Sequence, residues 1–209
     1  MDVEQSCSVY NKVNDVKMKQ LTPKEVIKHI RKKSPFLFWT GVSLLISFVL
    51  ILIFLALFKF IKALFFILLF VIIGGYSMIY QRVIRWSLGF ELVFTGTVLC
   101  GIAYGPLAGA IVGFVGLLLG EILSMKIAPQ TIVSFVAIVI VGIMSSVIYN
   151  GNVFSTGITL LLLYNLIIMP LYYMMGSNPV KCFAFSATHI LFHWWMFKHI
   201  APMILKVMV

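Results

Sequence analysis

Long apolar runs constrain this chain more than any other feature of its sequence. The first run, residues 36–58, has no charged side chain and exceeds the ~20 residues that a helix needs to cross the hydrocarbon core of a bilayer. No alternating strand pattern competes. The sequence therefore predicts an all-α fold, a polytopic integral membrane bundle of six to seven transmembrane helices with a basic N-terminal tail. The six further runs lie at about residues 63–80, 87–104, 106–124, 131–149, 156–175 and 182–198.

The composition excludes a sizeable soluble domain. Hydrophobic residues make up 62% and charged residues 11% of the chain, whereas soluble domains carry about 25% charged residues. The three cysteines, Cys7, Cys100 and Cys182, have no paired spacing, so we expect neither a disulfide framework nor a zinc site. The sequence lacks phosphate-binding loops, catalytic triads and zinc-protease motifs. We predict a protein that is not an enzyme and carries no cofactor.

The net charge of +10 reflects membrane topology. Eight of the sixteen Lys and Arg residues precede Pro35, and the others lie near the ends of apolar runs. This distribution is typical of topology signals and of contact with anionic membrane lipids, so we expect no nucleic-acid partner. It predicts a multi-pass protein of the cell (plasma) membrane with a cytoplasmic N-terminus. Seven crossings from that side place the C-terminus outside.

Three segments are expected along the chain. Residues 1–34 form a basic cytoplasmic tail, in which Thr22-Pro23-Lys24-Glu25 predicts the start of a short amphipathic helix. Residues 35–62 form an additional N-terminal transmembrane helix that ends at two lysines, and residues 63–209 form a six-helix membrane bundle. The tail is either a membrane-surface anchor or partner-docking arm, or a solvated segment that only fixes the orientation.

A glycine-rich stretch divides residues 87–124 in two. As a single helix they would be about 57 Å long at ~1.5 Å per residue, too long for one crossing. A hairpin turn is therefore predicted at Gly105-Pro106, with the proline as the first residue of the next helix. Glycines then recur four residues apart, which lets a neighbouring backbone approach closely. We expect helix packing or partner contact at one set of residues: Gly105, Pro106, Gly109, Gly113, Gly116 and Gly120.

Glu91 and Glu121 are the only acidic residues after residue 25. Because the hairpin lies between them, we expect both carboxylates at the same side of the membrane. There they either pair with Arg82, Arg85 or Lys126, or line a polar pocket or a partner contact.

Three more polar side chains interrupt the later apolar runs. Asn165 is expected to be buried with a hydrogen-bond partner, and it could equally contact a ligand or a neighbouring helix. His189 and His193 lie four residues apart on one helical face, a spacing at which two imidazoles can share a metal ion, with a third ligand from Glu91 or Glu121. Alternatively, the histidines pack against helix-end aromatic residues near the membrane interface. We predict no metal site and keep the histidine pair as the alternative.

Residues 102–116, with the sequence IAYGPLAGAIVGFVG, carry a family resemblance. With the rest of residues 90–121 they resemble the second and third helices of the substrate-binding (S) components of energy-coupling factor transporters. In that family a Gly-Pro turn, a glycine-rich helix and an acid recur in this order, although the acid is usually Asp where this chain has Glu121. The later helices, separated by short Gly, Asn and Pro turns, are also similar. Membrane proteins of the MreD type share this architecture.

The resemblance implies a membrane-embedded substrate-binding subunit of a micronutrient or vitamin uptake transporter. Such a subunit has no ATPase of its own and works with a transmembrane coupling subunit and ATPase subunits. The family places the Gly-Pro turn on the cytoplasmic side, whereas seven crossings place it outside. By position, the expected small-molecule site comprises Asn150, Asn165, His189, His193 and Trp194.

Two other functions stand beside this one. The first is a structural or scaffold membrane protein of the MreD type, without a small-molecule site, that binds other subunits through its glycine faces and its basic arm. The second is a membrane enzyme that uses the pair of His189 and His193 with a carboxylate.

Overall fold

The structure, a computed structural model, describes residues 24, 28, 35–84, 88–126 and 128–209. Every regular element from residue 35 onward in these ranges is an α-helix, which confirms the all-α prediction. Of the predicted tail helix, Lys24 and Lys28 are helical; the rest of the tail, including Cys7, and Arg85 lie outside the described residues. The helices are α1 Pro35–Ser77, α2 Tyr80–Val83, α3 Val93–Tyr104, α4 Pro106–Ser124, α5 Thr131–Val147, α6 Val153–Met174, α7 Pro179–His199 and α8 Ala201–Met208.

Three stretches of the described chain are long and apolar enough to cross a membrane. They are Trp39–Val83, Pro106–Ser124 and Val153–Met174. Helices α3 and α5 are apolar but shorter, with 12 and 17 residues. Together they make the fold a membrane helical bundle.

Helix α1 differs from the sequence prediction, which places a boundary between two spans at Lys59 and Lys62. The helix is continuous across both lysines. No glycine or proline interrupts the residues between them, and a lysine can lay its aliphatic stem along an apolar helix while its amine reaches outward. The chain divides into two compact units within this helix, Met1–Phe58 and Lys59–Val209, and the site described below lies in the second unit.

Helix α3 begins later than the apolar run that predicts it. The run starts near residue 87, but the helix starts at Val93. Side-chain oxygens hold the preceding backbone: the Gly89 amide donates to Thr188 Oγ1 at 2.9 Å, and the Leu92 amide donates to Ser77 Oγ at 2.9 Å. Residues 88–92 are therefore a non-helical segment packed against α1 and α7, and Glu91 belongs to it.

In the second unit, α3, α4 and α5 pack against one another, and α6 packs against α5 and α7. Helix α8 turns back on α7 and α3, and the Tyr104 hydroxyl donates to the Met208 carbonyl at 3.2 Å. The centre of this unit is apolar and contains fully buried side chains such as Phe94, Leu99, Ile138, Leu160, Ile168 and Phe197.

The predicted hairpin is present, and glycines close the bundle beside it. Gly105 has φ +96°, a conformation that favours glycine, and Pro106 is the first residue of α4. A Cβ on Gly109 would lie 2.6 Å from the Gly142 carbonyl oxygen and 2.8 Å from Gly101 Cα. We call Gly101, Gly109 and Gly142 the glycine seam, because at these residues α3, α4 and α5 touch through their backbones.

The other glycines of α4 are also covered by the chain itself. A Cβ on Gly113 would lie 3.0 Å from side-chain atoms of Ile138 and Thr97, and Gly116 and Gly120 face the side chains of Val93 and Met78. The sequence predicts either helix packing or contact with a partner for these residues. In the structure they pack against α3, α5 and the turn at Met78 in the same chain.

Candidate functional site

A cavity of about 480 Å³ opens at the end of the second unit opposite Gly105. It lies where α4 and α6 end and where α5 and α7 begin, beside the segment that links α1 to α3. Its size is that of a small-molecule pocket, for which about 300–1,000 Å³ is typical. The lining residues are Met78, Gln81, Glu91, Leu117, Glu121, Lys126, Ala128, Gln130, Thr131, Ser134, Tyr164, Tyr172, Ser177, Asn178, Lys181, Cys182 and Phe185.

The polarity of the lining changes from the inner wall to the rim. Glu91 is only 5% exposed and lies on the inner wall with Met78 and Tyr164, which are both 3% exposed. Asn178 and Lys181, at the start of α7, are exposed at the rim. The cavity is therefore acidic and apolar inside and basic at its mouth.

A buried polar chain lies behind the inner wall. Glu91 Oε1 is 3.6 Å from His189 Nε2, and both side chains are almost completely buried. On the other face of the imidazole, Asn165 Nδ2 is 3.0 Å from His189 Nδ1 and donates to the Leu161 carbonyl at 2.8 Å. We call these residues the Glu91–His189–Asn165 chain; it connects the cavity wall to the middle of α6.

The hydrogen bonds assign the tautomer of His189. The Leu161 carbonyl can only accept, so the Asn165 atom facing it is the amide nitrogen, and that nitrogen also donates to His189 Nδ1. A neutral ring that accepts at Nδ1 carries its proton at Nε2. His189 therefore presents an N–H to Glu91.

His193 lies one turn further along α7 and has a different partner. Its Nδ1 donates to the His189 carbonyl at 3.0 Å, which leaves Nε2 as an acceptor. That nitrogen is buried and has no hydrogen-bond partner among the described residues. The two imidazole centroids are 4.3 Å apart, so His193 supports the ring of His189 by packing.

Aromatic rings fix the two histidines in place. Phe94 meets His189 and His193 edge to face, with centroid distances of 5.3 and 5.1 Å, and Phe185 stacks on His189 at 5.2 Å. Tyr164 also meets Phe94 edge to face, at 5.4 Å. Such packing restricts the rotamers of the polar chain.

Toward the rim, the charged groups do not neutralise one another directly. Thr131 Oγ1 donates to Glu121 Oε2 at 3.4 Å, and Lys126 Nζ donates to the Ile84 carbonyl at 3.3 Å. Burial lowers the pKa of Lys126, and the nearby Glu121 carboxylate opposes that shift. Within the described chain neither glutamate forms an ion pair with Arg82 or Lys126 inside 4.0 Å; the nitrogen found within that distance of Glu91 is Nε2 of the neutral His189 ring.

The structure divides the sequence-predicted site residues. Asn165 and His189 meet beside Glu91, with His193 packed behind them, and both glutamates line one cavity, as the hairpin between them requires. Asn150 lies at the opposite end, where its side chain accepts from the Asn152 amide at 3.2 Å. Trp194 is 42% exposed, with Lys198 Nζ 4.8 Å from its ring centroid. None of the five predicted residues lines the cavity: Asn165, His189 and His193 lie behind Glu91, and Asn150 and Trp194 lie away from it.

Several lining residues were not predicted from the sequence. Tyr164, Tyr172 and Phe185 lie in apolar runs, where aromatic residues are ordinary core or lipid-facing side chains. The Ser134 and Tyr172 hydroxyls are hydrogen-bonded and join α5 to α6 at the cavity. Lys181 reads in the sequence as a topology signal. Only the convergence of four helix ends makes these residues a site.

Among the described residues, no three His, Cys, Asp or Glu side chains are arranged to hold a metal ion. Comparison with known protein families, with curated proteins and with solved structures finds no match. The function is therefore argued from the chemistry of the cavity and from the sequence resemblance alone.

Proposed function

We propose that this protein is the membrane-embedded substrate-binding subunit of a transporter that takes up a vitamin or another micronutrient. The observation that carries the proposal is the cavity of about 480 Å³ at one end of a membrane bundle. Charged and hydrogen-bonding side chains converge there with apolar and aromatic ones, and polar groups placed in this way fix and select the ligand in small-molecule sites.

The position of the cavity supports this function. It is lined by residues of α2, α4, α5, α6 and α7 and of the segments that connect them, and it lies at the opposite end from the Gly105 turn. In the S components that the sequence resembles, the Gly-Pro turn faces the cytoplasm, so a cavity at the other end opens outward, where a nutrient arrives. Helix α1 is continuous through Lys59 and Lys62, so it does not form the two separate spans on which the opposite placement of the Gly105 turn depends.

Transport by such a subunit depends on partners. The sequence has no phosphate-binding loop, so energy would come from ATPase subunits through a transmembrane coupling subunit. The role of this chain is to bind the ligand, with the Glu91–His189–Asn165 chain holding the inner wall in a fixed geometry.

The scaffold alternative of the MreD type loses one of its two predicted contact surfaces. That reading expects the glycine faces of α4 to contact other subunits, but these faces pack against α3, α5 and the residues around Met78. The enzyme alternative needs the histidine pair to face a substrate, whereas both histidines are fully buried.

The test is purification of the tagged full-length chain from its own membranes in mild detergent. Mass spectrometry then identifies both the proteins and the small molecules that are retained. We expect one kind of small molecule at about one per chain, together with ATPase and coupling subunits. Partner proteins without an ATPase, and no small molecule in a folded sample, would instead support a scaffold. A bound metal that disappears in His189→Ala would support an enzyme.

A further inference from the structure

The charges of the cavity wall define the chemistry of its occupant. Resting on the proposed function, we infer that the ligand is amphoteric: a protonated nitrogen faces Glu91 at the inner wall, and an anionic group lies between the lysines at the rim.

The inner wall lacks a cation. Glu91 is only 5% exposed. Its polar partner among the described residues is the neutral His189 ring, whose Nε2 lies 3.6 Å from Glu91 Oε1. A carboxylate has two oxygens that together accept about four hydrogen bonds, and the one N–H that His189 directs at Glu91 lies beyond hydrogen-bond distance. Burying a charge is costly unless it is paired. The unused acceptors of Glu91 border the cavity, so a ligand N–H⁺ group is the partner that completes the site.

The second acid strengthens this preference. Glu121 also lines the cavity, and Thr131 is its described hydrogen-bond donor. Two carboxylates on one wall repel an anion and attract a cation. An anionic group of the ligand is therefore excluded from the inner wall.

The rim has the opposite character. Lys181 is exposed there and Lys126 is bonded to a backbone carbonyl, so both ammonium groups keep capacity for an anion. Lys181 also lies in the first turn of α7, a 21-residue helix whose positive end adds to the attraction. Between the inner wall and the rim lie the aromatic rings of Tyr164, Tyr172 and Phe185. These rings favour a ligand with an aromatic or aliphatic body, and they attract a nearby cation.

Four compounds with one indole body test the charges separately. 5-Carboxytryptamine carries both charges at opposite ends of the indole, tryptamine the amine alone, 3-ethylindole-5-carboxylate the carboxylate alone, and 3-ethylindole neither. Thermal unfolding of the purified full-length chain is followed with each compound, since a ligand that binds the folded state raises the midpoint. We expect 5-carboxytryptamine to bind at least ten times more tightly than 3-ethylindole-5-carboxylate or 3-ethylindole.

Two variants report on the orientation. Glu91→Gln should weaken the binding of 5-carboxytryptamine and tryptamine about tenfold and leave that of 3-ethylindole-5-carboxylate unchanged. Lys181→Gln, on the exposed rim, should weaken the binding of 5-carboxytryptamine and leave that of tryptamine unchanged, and it remains informative if Glu91→Gln does not fold. Equal binding of all four compounds, or tighter binding of the acid or the neutral compound, overturns the inference.

If none of the four compounds binds, the charge of the molecule that co-purifies with the chain tests the inference. An amphoteric molecule supports the inference, whereas a neutral or purely acidic one overturns it and leaves the proposed function standing. A folded chain that retains no small molecule overturns both.

Discussion

The two ends of the second unit are built in opposite ways from the same helices. At the Gly105 end, the glycine seam brings α3, α4 and α5 into backbone contact. At the Glu121 end, α4 to α7 bear charged and aromatic side chains and leave a cavity of about 480 Å³. At the Gly105 end, small residues let the helices pack without a gap. At the Glu121 end, large polar side chains that need partners leave a cavity between the helices. A rigid closed end thus supports an open end suited to a ligand.

The largest difference expected between the two ends is their side of the membrane. Ser177→Cys, at the rim of the cavity, should react completely with a membrane-impermeant maleimide added to intact cells, and Asn150→Cys, in the turn at the other end, should react only after lysis. The unmodified chain measures background from Cys7, Cys100 and Cys182. The reverse pattern would place the cavity in the cytoplasm and contradict its role in uptake.

Adding a side chain within the glycine seam should lower the free energy of unfolding more than substitutions elsewhere in the second unit. A Cβ at Gly142 would lie 2.5 Å from Ala110 N and from Gly109 C, both backbone atoms that cannot move aside. We expect Gly142→Leu to destabilise the protein by about 3 kcal/mol or more, measured by thermal unfolding in detergent. Gly41→Leu is the matched control, because nothing lies within 4 Å of a Cβ there. Equal unfolding midpoints for the two variants would show that the seam is not close-packed.

Breaking the polar chain behind the cavity should have an intermediate effect. Asn165→Leu removes the hydrogen bonds to the Leu161 carbonyl and to His189 Nδ1, with an expected loss of about 1–3 kcal/mol. It should also lower ligand retention, since His189 no longer holds its N–H toward Glu91. Ser146→Ala, which removes one hydroxyl bond to the Ile143 carbonyl in α5, should stay within about 0.5 kcal/mol. An Asn165→Leu variant with unchanged stability and retention would contradict the assigned tautomer.

The smallest effect compares two helix caps, one at each end. The Asn152 side chain accepts from the Phe154 and Ser155 amides, and the Asn178 side chain accepts from the Val180 amide. Replacing either residue with Ala should cost about 1 kcal/mol of stability. Only Asn178→Ala should also reduce ligand retention, severalfold, because Asn178 lines the cavity. Equal losses of ligand in the two variants would mean that retention follows stability and not the site.

The sequence predicts the closed end better than the open one. The hairpin is predicted from the length of residues 87–124 and from the Gly105-Pro106 step. A single helix of that length would be too long for one crossing, and proline is favoured as the first residue of a helix. The burial and bonding of Asn165 follow from its place in such a run. The continuity of α1 through Lys59 and Lys62 does not, because lysines end some membrane helices and extend along others.

The composition of the cavity could not be predicted in the same way. Its lining comes from turns and helix ends that are far apart in sequence, such as Lys126 and Asn178, and only packing brings them together. Position in the last helices selects His189, which lies against Glu91 behind the cavity wall, and it equally selects Trp194, which is 42% exposed and does not line the cavity. A pattern of residue types predicts which side chains share one face of a helix. It does not predict which residues of the neighbouring helices that face contacts.

The most direct test of the account is the amount of small molecule retained when either end is blocked. Ser177→Trp fills the mouth of the cavity, and Ser146→Trp places the same bulk near the other end of α5. Quantitative mass spectrometry of the three purified proteins should find about one ligand per chain in the unmodified protein and in Ser146→Trp, and at least tenfold less in Ser177→Trp. Equal retention in all three, or none in any folded sample, would contradict a ligand site at the Glu91 end.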